Sequence, residues 1–335
     1  MKKKASSQPL QIRSITVDTP VVLAPMVGLS HSAIRSLLVE QGGVGLLFTE
    51  MMAAKRLPHD SVTHSPMLVR SPIEKPLIYQ IFLSSPEPVQ LAVDKLEHVG
   101  ADGVDVNLGC PAPQLRRRGA GGFLAEDREA VRGIVRALRK ATELPVSAKI
   151  RLGRELDKDK LVQFCKLLED EGIDFLTVHG RLHGEKFCRP ARWDWIGHVK
   201  KELSIPVIAN GGIFTVSDAK RCLEQSGADG LMIGRGGMER PWLFADVARE
   251  VYGRQDISGF ATRKELFFRF IQLLEERFAV ERRLGRMKQF TQYYARAFTF
   301  GHHLAGAVQN SNSMDEAIDS AEQFFARTEP SELQN

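Results

Sequence analysis

Short apolar runs return along the chain about every thirty residues, the length of one strand-plus-helix unit. They span 21–26, 46–51, 76–82, 103–108, 146–152, 175–180, 206–211 and 230–235. Most are rich in Val, Ile or Leu and flanked by Gly or Pro, the mark of strands buried on both faces. Between them apolar positions recur every three or four residues, as in Leu91, Ala92, Leu96 and Val99, or Leu161, Phe164, Leu167 and Leu168. That spacing predicts amphipathic helices, and Gly100, Gly172 and Gly227 stand where such helices would end. Eight alternations predict an α/β fold of the (β/α)8 barrel type. An open doubly wound sheet is disfavoured by the count and by the lack of a Gly-x-Gly-x-x-Gly after the first run.

The strand pattern stops near residue 250. From Thr262 to Phe325 the periodicity is helical, with Leu266, Phe267, Phe270, Leu273 and Leu274 on one face, another helix from near Gly285 and a last one from near Ser313. The expected division is an extension over 1–18, a barrel over 19–250, a helical bundle over 251–328, and a frayed tail over 329–335.

Composition narrows the class. At 43 % apolar and 26 % charged, the 335 residues are not those of a disordered chain. No run of ~18 apolar residues offers a membrane span. Lys2, Lys3 and Lys4 lead into polar residues through Ser7, so no secretory leader is expected. Cysteines 110, 165, 188 and 222 are scattered, which fits neither a disulfide scaffold nor a metal site and points to the reducing cytoplasm. The net charge of +5 is mild for a nucleic-acid binder, so its distribution has to carry that argument.

Barrel active sites form at the carboxyl ends of the strands. Those ends are polar here: Pro25 and Met26, Glu50, Gln80, Asn107 and Cys110, Lys149 and Arg151, His179 and Arg181, Asn210, then Gly234 and Arg235. Asn210-Gly211-Gly212 and Gly234-Arg235-Gly236-Gly237 close the seventh and eighth runs, where barrels commonly bind phosphate. Alternation puts Lys149 and Arg151 on one side of their strand. A buried Lys calls for an anion or an electron-rich ring. Cys110 lies between Gly109 and Pro111, so its backbone position is specified. A free thiol releases its proton near pH ~8.5 and can serve as acid or nucleophile. Cys165 and Cys222 read as small core residues on helices.

Arg116, Arg117 and Arg118 follow Cys110 and lead into Gly119-Ala120-Gly121-Gly122. At an active-site mouth these charges would meet a polyanion, although alone such a run reads as a solvated face. From Arg263 through Arg296 there are nine basic and four acidic residues, and beyond Arg296 one basic against six, so part of the tail presents positive charge. Phe267, Phe268, Tyr293 and Tyr294 are expected in the bundle core.

The ordered set Ala24-Pro25-Met26, Gln80, Asn107-Leu108-Gly109-Cys110-Pro111, Gly119-Ala120-Gly121, Lys149-Ile150-Arg151, Thr177-Val178-His179-Gly180-Arg181, Trp193-Asp194-Trp195, Asn210-Gly211-Gly212, Gly234-Arg235 and Pro241-Trp242-Leu243-Phe244 resembles the tRNA-dihydrouridine synthases. The resemblance runs in order over about 20–245, and that family also carries a helical tail. It departs where Leu182 and His183 replace the more usual Thr-containing sequence, and from Ala112 to Arg118.

The resemblance implies a cytoplasmic, FMN-dependent enzyme that reduces the C5–C6 double bond of a tRNA uridine, with NADPH or NADH as transient reductant. Cys110 would be the proton donor to C5. Pro25, Met26, Val27, Gln80, Lys149, His179, Asn210, Gly211, Gly212, Gly234 and Arg235 would hold FMN. Asn107, Arg151 and Arg181 would meet the uracil edge, and Arg116, Arg117 and Arg118 the RNA. No metal and no membrane are implied, and a monomer is expected. A flavin barrel acting on a free pyrimidine such as dihydroorotate would share the barrel and the Cys donor, but leaves the basic loop and tail without a purpose.

Overall fold

A computed structural model describes residues 9–62 and 65–334 of the chain. Eight parallel strands form the barrel: β1 (Val21–Leu23), β2 (Leu47–Phe48), β3 (Leu77–Phe82), β4 (Gly103–Leu108), β5 (Val146–Arg151), β6 (Phe175–His179), β7 (Val207–Asn210) and β8 (Gly230–Ile233). Neighbours in sequence are neighbours in space, β8 pairs with β1, and the Val22–Leu46 bridge closes the ring onto β2. The first two strands are shorter than the apolar runs that carry them. A short stretch, Met52–Ala53, adds to the far end of β3.

Helices α1 (Ser32–Gln41), α2 (Val89–His98), α3 (Arg128–Ala141), α4 (Lys158–Asp170), α5 (Trp193–Glu202), α6 (Val216–Ser226), α7 (Arg235–Glu239) and α8 (Leu243–Tyr252) surround the barrel. Asp127, Asp157 and Thr215 cap three of them by accepting a backbone N–H of the first turn. Leu91, expected on the buried face of α2, is 61 % exposed; Val89, Ala92, Val93 and Leu96 make that face instead.

The expected extension is part of the core. Leu10–Ile12 and Ile15–Val17 pair as an antiparallel hairpin. Its Ile12, Ile15 and Val17 pack with Val22, Leu46, Phe48, Ile78, Phe175, Ile208 and Met232 and stopper the amino end of the barrel. Lys2, Lys3 and Lys4 lie outside the described residues. Two residues further along several strands, the inward side chains turn polar: Gln80 after Ile78 and Asn210 after Ile208. The barrel is therefore dry at its amino end and polar at its carboxyl end.

The tail folds as four helices, α9 (Arg263–Arg277), α10 (Arg283–Tyr294), α11 (Gly301–Asn310) and α12 (Met314–Arg327). Phe267, Phe290, Tyr294, Phe298 and Phe325 stack at its centre. The expectation of fraying past residue 328 does not hold for the described residues. The Arg263 N–H donates to the Leu333 carbonyl at 2.7 Å, and the Glu332 carboxylate accepts from both the N–H and the hydroxyl of Thr299. Against α1, His31 sits between the rings of Phe270 and Phe278, while Arg269 forks onto Glu40 at 2.8 Å. Barrel and bundle thus share one continuous apolar core.

Candidate active site

A cavity of about 330 Å3 opens at the carboxyl end of the barrel. Every residue expected to hold FMN lines it, from Pro25, Met26 and Val27 after β1, through Gln80, Lys149 and His179, to Asn210, Gly211, Gly212, Gly234 and Arg235. Asn107, Cys110, Arg151 and Arg181 line it as well, whereas Arg116, Arg117 and Arg118 do not. Those three are exposed on a one-turn helix and the turn that follows, with Arg116 and Arg118 lying over the rings of Phe123 and Phe82.

On one wall, Lys149 Nζ donates to Asn210 Oδ1 at 2.9 Å, and Asn210 Nδ2 in turn donates to the Met232 carbonyl at 2.7 Å. The second bond fixes which end of the Asn210 amide faces the lysine. Burial, then the Arg151 charge, hold the Lys149 ammonium down to about 8. His179 is kept well below its ordinary value by burial and by the surrounding cations, Lys149 first among them. An Arg181 N–H meets His179 Nε2 at 3.0 Å. A guanidinium only donates, so Nε2 accepts and the proton sits on Nδ1.

Arg181 was expected at the uracil edge. Its other bonds run to the carbonyls of Arg189 at 2.7 Å and Phe187 at 3.3 Å, so it ties the loop after β6 to His179. Asn107 is similarly committed. Its Nδ2 donates to Gln80 Oε1 (2.9 Å) and Met51 Sδ (3.4 Å), and its Oδ1 accepts from the N–H groups of Gly109 (3.3 Å) and Cys110 (3.0 Å). All four positions of that amide are used within the protein. Arg151 donates to the Leu182 carbonyl at 2.8 Å and lies over the Phe187 ring.

Two glycines are demanded by position. Gly211 has φ +111°, and a Cβ there would lie 2.6 Å from the His179 ring. Its carbonyl is fixed by the Trp193 indole N–H at 2.7 Å, which gives the Trp193-Asp194-Trp195 motif a physical role. Gly28, at φ +76°, leaves room for the Gln289 side chain of α10, which donates to the Val27 carbonyl at 3.2 Å. The Gly28 N–H donates to Glu50 at 2.6 Å, so the loop after β1 is held by both the barrel and the tail.

Several lining or supporting residues were not expected. Asp105 lies under the cavity, and alternation two residues before Asn107 would have found it. Phe187 stacks near His179 and meets Arg235 at 4.3 Å, from a loop without a periodic signal. Gln289 and Tyr293 reach the cavity from α10. Tyr293 is half-buried there and packs against the edge of the shared core, in which its neighbour Tyr294 is fully buried. Cys110 is half-buried, Cys165 and Cys222 are buried, and Cys188 is exposed. Among the described residues no cluster of three His, Cys, Asp or Glu side chains could hold a metal ion, and no helix is long and apolar enough to cross a membrane.

Comparison with known proteins carries the likeness past residue 245 and through the helical tail. The family model described as dihydrouridine synthase matches residues 22–330. A probable tRNA-dihydrouridine synthase 1 of Synechocystis is 32 % identical over 322 residues, covering 96 % of this chain and 90 % of the relative. tRNA-dihydrouridine synthase B of Klebsiella pneumoniae is 36 % identical over 229 residues, 68 % of this chain and 70 % of its own. A probable tRNA-dihydrouridine synthase of Mycobacterium tuberculosis is 30 % identical over 332 residues, with 94 % and 85 % covered. Among solved structures, a 2-naphthoyl-CoA reductase complex (TM-score 0.55, 14 % identity, 73 % of this chain and 52 % of that one) shares the fold. So does histamine dehydrogenase from Rhizobium sp. 4-9 (TM-score 0.55, 12 % identity, 79 % and 50 % covered). With the family model spanning barrel and tail alike, the chain belongs to the dihydrouridine synthase family.

Proposed function

We propose that this protein is an FMN-dependent reductase that converts a uridine of tRNA to 5,6-dihydrouridine, with NADPH or NADH as the source of electrons. The observation that carries this reading is the charge of the cavity. Lys149, Arg151, Arg181 and Arg235 converge on it, and among the described residues no carboxylate lines it. Cations are costly to hold out of water unless an anion meets them. A flavin mononucleotide answers that demand with a phosphate at one end and a polar ring edge at the other. Gly211, Gly212 and Gly234 leave backbone open beside the Arg235 guanidinium, which suits the phosphate. Gln80, Lys149, His179 and Asn210 suit the ring edge, and Pro25, Met26 and Val27 its apolar face.

FMN, when bound, supplies the hydride that adds to C6 of the base. The chain supplies the proton. Cys110 Sγ gives its hydrogen to C5 and regains one from solvent through the open mouth, as a general acid would. Arg151, beside Phe187 at the rim, would face the uracil carbonyls. A base in folded tRNA must leave its stack to reach a barrel mouth, at a cost of a few kcal/mol. Phosphate contacts from Arg116, Arg117, Arg118 and the basic part of the tail would offset that cost. The tRNA substrate named for the relatives gives this reading its RNA.

The test separates the two half-reactions. Cys110→Ala should keep FMN binding and its reduction by NADPH, while turnover with tRNA falls by about 10²- to 10⁴-fold, the worth of a general acid. Equal loss in both halves would remove Cys110 from the acid role.

A further inference from the structure

Asp105 is fully buried inside the barrel below Cys110, between Gln80 of β3 and Ser147 of β5 in register. Its Oδ1 accepts from the Ser147 hydroxyl at 2.6 Å, and its Oδ2 accepts from Gln80 Nε2 at 2.7 Å. From there the hydrogen bonds continue upward. Gln80 Oε1 accepts from Asn107 Nδ2, and Asn107 Oδ1 accepts from the Cys110 N–H.

The direction of this chain is fixed at both ends. A backbone N–H can only donate, and a carboxylate can only accept. Between them stand two amides, each with one donating and one accepting end. If Gln80 turned over, its NH2 would face Asn107. Asn107 would then have to turn too, and its NH2 would meet the Cys110 N–H, donor against donor. One polarity satisfies all four groups, and it requires an accepting oxygen where Asp105 Oδ2 stands.

We propose that Asp105 is a positioning residue that sets the amide orientation of Gln80 and Asn107 and, through them, clamps the backbone that carries Cys110. It is fully buried and does not line the cavity. The consequence for catalysis rests on the acid role given to Cys110 above; the clamp itself is a property of the 107–112 segment and is measured there without turnover.

The experiment is amide hydrogen exchange of the peptide covering 107–112 in the full-length protein, with and without added FMN. Asp105→Leu removes the accepting oxygen and should speed exchange there by about tenfold, the loss of one hydrogen bond in a buried network. Gln80→Leu removes the middle link and should do the same, which keeps the test alive if the first variant does not fold. Asp105→Asn retains protection, because its Oδ1 can face Gln80 while its NH2 donates to the Ser147 hydroxyl oxygen. Ser147→Ala, which cuts the other branch, and Val104→Ala, which loosens the same strand without touching the chain of amides, leave exchange within about twofold of wild type. The proposal is overturned if Asp105→Leu and Gln80→Leu both leave the segment protected. It is equally overturned if Val104→Ala or Ser147→Ala speeds exchange as much as they do, since the effect would then be loosening of the strand alone.

Discussion

Lys149 carries a charge whose cost shows in its lowered titration near 8. An anion arriving in the cavity favours the protonated form, so the two equilibria are linked. FMN should therefore bind more weakly as pH rises past about 8, and Lys149→Met should weaken binding and flatten that dependence; a wild-type affinity independent of pH would contradict the assignment. Asp105 shows the opposite case. Burial pushes its carboxyl up to about 6, against the hydrogen bonds from Ser147 and Gln80 and the Lys149 charge, which lower it. The folded chain then holds this proton to higher pH than the unfolded chain, so its contribution to stability falls as pH rises toward 6 and stays unfavourable above. In denaturant titrations, Asp105→Asn should gain on wild type as pH rises from about 4 to about 6 and hold that gain above, and a constant difference across this range would refute the sign. At these positions the sequence was legible where period two applies: Lys149 and Arg151 face one side, as do Ile208 and Asn210. It was not legible where side chains bond one another. Nothing in the residue order shows that Asn107 and Arg181 spend their hydrogen bonds inside the protein.

The loop between β6 and α5 behaves as one unit. Glu185 accepts from the Leu182 N–H at 3.0 Å and takes both branches of the Arg192 guanidinium at 2.8 and 3.0 Å. The bonded guanidinium holds its carboxyl down to about 2. Together with the Arg181 bonds to the Arg189 and Phe187 carbonyls, this clasp keeps Phe187 over the cavity. Glu185→Ala should speed tryptic cleavage after Lys186 by several-fold, with slower cleavage once FMN is bound; unchanged digestion would show that the clasp contributes little. Among the helices, α9 and α12 were readable from apolar spacing and from Thr262 and Ser313, which cap them. Helix α11 was not, because Gly301–Asn310 contains two glycines and buries only Leu304 and Val308 beyond its first residue. The hairpin at the amino end escapes sequence reading for a related reason: its two three-residue strands are too short to show a period.

Barrel and bundle share a core, so they should unfold together. Phe290 lies where that core joins the tail, against Phe267, Phe270 and Tyr294. Phe290→Ala should cost about 3–5 kcal/mol and keep a single calorimetric transition; two separated transitions would mean that the bundle is an independent unit. Alternation of strands and helices was enough to place the barrel, since each unit repeats the same pattern. The meeting of α10 with the loop after β1 lay beyond sequence reasoning, because it joins segments more than two hundred and fifty residues apart. It puts Gln289 and Tyr293 at the cavity rim, beside the loop proposed to meet FMN. Reversal of Arg116, Arg117 and Arg118 to Glu should weaken RNA binding and reduce its salt dependence, by up to ~0.7–0.9 in log–log slope for each phosphate that is no longer neutralised. An unchanged slope would return these arginines to a solvated face. The most direct measurement of the whole account is a two-step titration without oxygen. NADPH is added to the FMN-loaded protein, followed by tRNA that lacks dihydrouridine. The yellow flavin band should bleach with NADPH and return with that tRNA, and should not return with free uridine or orotate. Return with a free pyrimidine, or a protein that takes up no FMN, would contradict it.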